Sequence, residues 1–490
     1  MKNLINSKLI LAGFALMSLS TSCTDLATTE KDSEIVKSAT GFTKVDPTKF
    51  LASSYTKLDA YTDQANIYAL GQHTSAELIP PTRGVDWGDN GVWRTLDAHT
   101  WDPTHSMVLG TWNALNERSY NMNELLASDP SPAQAAEAKF LRAFHMHHIL
   151  DFWGQVPIRQ VTEGVNDNPK VMDARSAWDF IVKDLTEALP VLSKVGPGVA
   201  NGAASKAAAN FLLAKMYLNK SNYTASPVDK ADMDKVVTYC DAITADGYSL
   251  EDKYFDNFTS AATKELIFAS LAGSPQNRYF MTLHYGQNPS GWNGFTTLSD
   301  FYAKFDAKDQ RTGIPAAKDG SKFSGIGKGF LVGKQYKDDG SALIDERSQL
   351  HLEFTPNVIL AGANTAMGYR VIKYHPADAK NYILMRNGAA QVMKAEAQHR
   401  AGKAADALTT INALRAKRSM TALTALTDDV VFDEWGRETY WEGGARTNEV
   451  RFGKFTSGTG ASKKDAGTIL FPIPAAAIAS NPNLKQNAGY

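Results

Sequence analysis

One stretch constrains this chain more than any other: AEAKFLRAFHMHHILDFWGQVP, residues 136–157. Leu141, Phe144, His148, Ile149 and Phe152 recur at three- and four-residue steps, so they share one helical face. Charges stand early, at Glu137, Lys139 and Arg142, and then thin out. Gly154 behind Trp153 reads as a left-handed cap, and Pro157 prevents the helix from restarting. A helix with this many aromatics and so few exposed polar positions needs cover on more than one side. The rest of the chain must supply that cover.

Helical patterning predicts such cover on both flanks. Residues 45–69 carry Phe50, Leu51, Tyr55, Leu58 and Tyr61 on one side, and residues 107–127 carry Trp112, Leu115, Tyr120, Met122 and Leu125. A Pro-containing turn then makes a helix hairpin with the central helix. Further helices are predicted at 175–192, capped by Ser176, and at 205–219, 232–246, 381–401 and 404–418, with a last one starting at Val431. Helices alternate with short turns at a period of roughly 30 to 40 residues, in the range of tetratricopeptide-type repeats. The expected fold is therefore mainly α, a scaffold of helix pairs.

Two stretches break the pattern. Residues 71–101 hold Pro80, Pro81, Gly84, Gly88 and Gly91 beside Trp87, Trp93 and Trp101, which reads as a structured loop. Residues 273–370 are rich in Gly, Asn, Ser and aromatics, and read as loops with short helices and a few strands. The expected organisation is a helix-pair region at 41–272 with the inserted loop 71–101, a loop-rich region at 273–380, and a C-terminal hairpin with a closing segment at 381–490.

The first residues carry a different signal. Lys2 and Lys8 flank the start of an apolar run, 9–19, followed by Ser20, Thr21, Ser22 and Cys23. Residues 1–22 read as a secretory signal peptide, with Cys23 as the lipidated first residue of the mature chain and 23–40 as a polar tether. Cys240 then has no partner and reads as a small buried residue. A net charge of -1 over 490 residues gives no electrostatic case for nucleic acid. No GxSxG, P-loop or HExxH is present, and no cofactor is expected. His145, His147 and His148 read as neutral core residues rather than metal ligands, and the Asp300, Asp306 and Asp309 spacing is weak evidence for calcium.

Six segments in order resemble the SusD/RagB-type outer-membrane lipoproteins: AEAKFLRAFHMHHILDFWGQVPI, AWDFIVKDLTEAL, SKAAANFLLAKMYLNKSNY, LMRNGAAQVMKAEAQHRAGKAADALTTINALRAKR, DEWGRETYWEGGARTNEVRFGKF and LFPIPAAAIASNPNLKQNAGY. The sequence departs from that pattern at Trp435-Gly436, where charged residues are usual, and at Asn448. The resemblance implies a tetratricopeptide-like scaffold with a looped ligand-binding region laid over it. It also implies a non-catalytic protein, anchored by lipid in the outer membrane and facing the exterior. Such a protein binds a nutrient oligosaccharide and passes it to a SusC-type TonB-dependent transporter. Alternatives are a peptide- or glycoprotein-binding member of the same system, a surface scaffold without a small ligand, and a glycan-active hydrolase using Asp86 and Glu77.

Sugars offer apolar faces to aromatic rings and hydroxyls to carboxylates, amides and Arg. On that ground the expected ligand contacts are Glu77, Arg83, Asp86, Trp87 and Trp93 on the first loop, with Tyr279, Tyr285, Asn288, Trp292 and Asn293 on the second. The mixed charges Glu434, Arg437, Glu438, Glu442, Arg446 and Arg451 read as a buried ion-pair network joining C-terminal elements.

Overall fold

The computed structural model describes residues 37–199, 201–259, 263–273, 275–456 and 469–490. The leader, Cys23 and most of the tether lie outside the described residues.

The central helix sets the architecture. It runs from Pro132 to Trp153, opened by a reciprocal capping box between Ser131 and Gln134 and by a proline in its first turn. It closes on Gly154, whose φ of 68° is left-handed. Phe140, Leu141, Phe144, Met146, Ile149, Leu150, Phe152 and Trp153 are all buried, so apolar side chains point inward on every side of the helix. The longer helices are α1 (Pro47–Thr56), α2 (Ser106–Leu126), α3 (Pro132–Trp153), α4 (Ala174–Ala188), α5 (Lys206–Thr224), α6 (Lys230–Ala245), α7 (Asn387–Arg400), α8 (Ala404–Lys417), α9 (Asp428–Thr439) and α10 (Ala445–Arg451). From α2 to α8 each packs against the next, a continuous row of neighbours of the expected tetratricopeptide-like kind.

Local readings differ from the structure at a few points. The helix predicted over 45–69 ends at Thr56, continues as a 3₁₀ segment Lys57–Thr62, and restarts at Asn66 with φ 51°. The break is held from outside, because the Arg278 guanidinium donates to the carbonyls of Thr62 and Asp63. Asp173, not Ser176, caps α4; its side chain accepts from the Ser176 amide. Residues 71–101 are less irregular than expected, since the chain turns through a π-helical segment Ala69–His73 and a short helix Val92–Asp97.

The row of helices is interrupted between α6 and α7, where the chain leaves and later returns. The strands are β1 (Gln155–Ile158), β2 (Lys170–Asp173), β3 (Leu266–Ser270), β4 (Gly313–Ile314), β5 (Lys328–Leu331), β6 (Gly333–Lys334), β7 (Glu353–Phe354), β8 (Arg370–Ile372) and β9 (Tyr382–Arg386). Outgoing β3 pairs antiparallel with returning β9. The run YILMR is therefore a strand, where a helix from Asn381 was expected; a short apolar run does not declare its period. Beyond this clasp, β4, β5 and β8 form one small sheet and β6 and β7 another. Leu283, Ile326, Leu331, Leu343, Leu352, Phe354 and Ile372 make a satellite core there.

The neck of this excursion is filled with charge. Arg386 bonds Glu265 at 3.1 Å, Glu438 at 2.7 Å and Glu442 at 2.8 Å, while Arg418 bonds Glu265 and Glu438 at 2.8 Å. Arg311 joins Asp309, Glu434 and Glu438, and Glu434 also takes Arg415 and Arg437. These groups are withdrawn from water, so their mutual pairing is what makes their burial tolerable. The charges read as one network from the sequence divide in space. Glu434, Arg437, Glu438 and Glu442 belong to the neck. Arg446 instead reaches Asp151 of α3, and Arg451 reaches Glu396 of α7. Asp309, weighed as a calcium ligand, is taken by Arg311. Among the described residues no three His, Cys, Asp or Glu side chains converge to hold a metal ion.

His145, His147 and His148 are held below the usual histidine range by burial within α3. Cys240 is buried in α6, where desolvation raises its thiol. No described helix is long and apolar enough to cross a membrane.

Candidate ligand-binding face

The two excursions meet. Ile79 and Thr296 form a β-bridge that lays the 71–101 segment along the 277–297 segment. Above it the Trp87 and Trp292 rings stand 6.3 Å apart, and the Trp87 indole N–H donates to the Trp292 carbonyl at 2.9 Å. Trp87 holds φ 60°, a left-handed value that a bulky residue adopts only when its surroundings over-determine it, and Asn293, a residue that tolerates that region, holds φ 49°. Gly294 is part of that determination, because a side chain there would run into the Trp87 indole.

The aromatic residues form layers. Phe295 lies at the base, 4.2 Å from His73, 5.1 Å from Trp93 and 4.6 Å from Trp87 between ring centres. Trp87 is half-buried on top of that base. Trp292 is 38% exposed and is backed by Phe280, stacked at 5.7 Å, with Tyr279 behind Phe280 at 4.7 Å. Polar groups edge the rings. The Tyr285 hydroxyl and Arg347 Nη2 both donate to Asp86 Oδ2, the latter at 2.7 Å, and Arg347 lies over the Tyr285 ring. The Tyr285 hydrogen bond, with Arg347, holds the Asp86 carboxyl below its usual range, while burial and Asp86 push Tyr285 up to about 12. Asn288 is exposed on the other flank and donates to Asp338 at 2.7 Å, beside a cavity of about 340 Å³ that also takes in Tyr336.

Four of the ten expected contacts are thus brought together here, Asp86, Trp87, Tyr285 and Trp292, while Tyr279 backs Phe280 and Asn288 stands by the neighbouring cavity with Asp338. The other four need correction as contacts of this face, since each is buried away from it. Arg83 is fully buried and donates to the carbonyls of Asn364 and Met367, anchoring the loop near residue 365. Asn293 is buried between Arg370 and the Thr365 carbonyl. Trp93 is buried beneath Trp87, its indole N–H donating to Asp89 at 2.6 Å. Glu77 is buried on the far side of the 79–296 bridge, and its carboxylate lines a different cavity. Glu77 and Asp86 therefore do not form the carboxylate pair a hydrolase needs. Sequence reading missed Arg347, Phe280 and Phe295. Arg347 sits far along the chain without a local signal, whereas the two phenylalanines lie inside the second loop and could have been included.

No family model matches the chain. The starch-binding protein SusD of Bacteroides thetaiotaomicron is 24% identical over 468 residues, covering 82% of each chain. In sequence the chain is similar to SusD along most of its length. Solved structures share its fold. A SusD-like protein from Bacteroides fragilis superposes with a TM-score of 0.70 at 18% identity, over 91% of this chain and 96% of that one. Surface glycan-binding protein A of Bacteroides thetaiotaomicron, solved in complex with laminarihexaose, gives a TM-score of 0.64 at 17% identity over 90% and 98%. In this chain the shared fold carries an aromatic surface on two excursions borne by a row of helices.

Proposed function

We propose that this SusD-type chain binds a nutrient oligosaccharide on the Trp87–Trp292 face, without catalysis, and delivers it to a partner SusC-type TonB-dependent transporter. One observation carries the reading. Two excursions distant in sequence place an exposed tryptophan, a half-exposed tryptophan and the Asp86–Tyr285–Arg347 polar edge on one surface. Large rings that the fold leaves uncovered are available to stack on sugar faces, and the flanking polar groups suit hydroxyls. The relatives named for starch and laminarihexaose support a glycan over a peptide. In this reading Cys23 carries the lipid anchor, and the protein stands on the outside of the outer membrane.

The test is retardation in native gels cast with a panel of polysaccharides, starch and laminarin first. The wild-type chain is expected to be retarded by at least one glycan and Trp292→Ala to run freely. Equal retardation of the two proteins would remove this face from consideration.

A further inference from the structure

Glu77 opens a second question. Its side chain is 93% buried, and one oxygen is occupied: Oε2 accepts from Gln72 Nε2 at 2.9 Å and from the Trp441 amide at 3.3 Å. Oε1 accepts no hydrogen bond among the described residues and borders a cavity of about 160 Å³. Leu298, Phe301, Phe432 and Gly436 give this cavity apolar walls, and Asp300, Glu449 and Lys304 give it charge. Lys304 is already committed, with its ammonium 2.7 Å from Asp433 and over the Phe432 ring. Asp86, Trp87 and Trp292 do not line it.

We propose that this cavity is a second binding site, for a protonated primary amine that donates to Glu77 Oε1 while its carbon skeleton lies against Phe301 and Phe432. A nine-tenths buried carboxylate with an open oxygen is costly unless something donates to it. Glu77 and Asp300 against one engaged lysine select a cation over an anion. Aromatic walls suit an alkylammonium, which combines a charged head with an apolar stem. The cavity is about ten times the 10–15 Å³ that a single water requires, so a short chain fits. Gly436, one of the sequence's departures from the family pattern, keeps it open. A methyl group there would lie 3.1 Å from Phe301 Cε2 and 3.7 Å from Glu77 Oε1.

The site also carries a pH signature. Burial raises the Glu77 carboxyl to about 7, against the lowering effects of the Gln72 and Trp441 hydrogen bonds and of Lys373 and Lys304. Asp300, Glu449 and Lys304 are the other charged groups facing the cavity, with Asp433 behind Lys304. Ammonium binding requires the ionised carboxylate, so affinity should rise between pH 6 and pH 8.

Calorimetric titration of the folded chain with ethylammonium, glucosamine and a side-chain-free-amine lysine derivative tests this. Ethylammonium is expected to bind the wild type saturably in the millimolar range, more tightly at pH 8 than at pH 6. Gly436→Ala should weaken binding at least about tenfold. Glu77→Gln, which can still accept from Gln72 and Trp441, should do the same if the alanine variant fails to fold. Tighter binding of glucosamine would assign an amino sugar as the source, and tighter binding of the lysine derivative a protein side chain. Trp292→Ala should leave amine binding unchanged, which separates this site from the glycan face. No saturable binding of any of the three amines, or equal binding by wild type, Gly436→Ala and Glu77→Gln, would overturn the proposal.

Discussion

Arg347 and Asp86, 261 positions apart in the chain, meet in a single ion pair of 2.7 Å at the rim of the aromatic face. Both partners are partly exposed, and such pairs contribute at most about 1 kcal/mol. Arg347→Ala should therefore leave the unfolding midpoint nearly unchanged. It should weaken glycan retention by about three- to tenfold, the loss of one hydrogen-bonding group. Thermal melts and affinity gels on one preparation check both halves.

The two tryptophans should separate binding from stability. Trp87 packs on Trp93 and Phe295, so Trp87→Ala leaves a cavity and is expected to cost about 2–3 kcal/mol. Trp292 is more exposed, so Trp292→Ala should cost less than about 1 kcal/mol. Both should abolish retention in glycan gels. Urea midpoints read the difference.

Arg446 joins α10 to α3. It bonds the Asp151 carboxylate and carbonyl at 3.1 Å, and its guanidinium lies near the rings of Phe152, Phe455 and Phe471. Arg446→Ala leaves Asp151 in the interior with Tyr223 and Thr447 as its remaining donors. A loss of about 3–5 kcal/mol is expected. A stable Arg446→Ala protein that no longer binds glycan would reassign the residue to the ligand.

Glu438 serves three arginines at once, Arg311, Arg386 and Arg418. Glu438→Gln keeps the shape and removes the charge, leaving three guanidinium groups with one fewer counter-charge. The expected cost is again about 3–5 kcal/mol, with the loss starting at the neck. Hydrogen exchange should show residues 266–270 and 382–386 losing protection before α3 does.

Acid should destabilise the fold in two steps. Burial, with Lys215 nearby, holds His148 down to about 4 in the folded state. The unfolded chain therefore takes up the proton first, and stability present above about pH 6.5 is lost as pH falls toward 4. Burial pushes Glu434 up, but Arg311, Arg437 and Arg415 outweigh it and hold the group at about 2. That contribution is present above about pH 4.5 and is lost as pH falls toward 2. Glu77 acts in the opposite sense, since its raised value favours the folded state at low pH. Melts from pH 8 to pH 3 should decline first below 6.5, and His148→Gln should make that first decline shallower, with buried His145 and His147 still contributing.

How much could be read beforehand depends on which forces are local. The α3 helix was legible because its periodicity and its Gly154 close lie within one short stretch, although its Ser131 opening, a few residues upstream, went unread. Tyr382–Arg386 was not, because four apolar residues and an arginine fit either a buried helix or a strand until β3 is known to lie beside them. The meeting of the two loops could be anticipated from their shared aromatic and polar content. Which side chain faces water could not. Trp93 and Trp87 are six residues apart and look alike as letters, yet the 79–296 bridge and the bulk of Phe295 seal the first and expose part of the second. Arg83 and Asn293 were misjudged for the same reason: a polar side chain satisfied by carbonyls from residues 364–367 has no local mark of that fate.

The β3–β9 clasp has a corollary. The excursion departs and rejoins through neighbouring strands of one ladder, and Arg311, Lys304 and Lys373 tie it further to the helix Asp428–Thr439 and to Glu442. Changes inside the excursion that spare those anchors should leave the helical frame standing, so its surface and its frame are separable parts of one molecule.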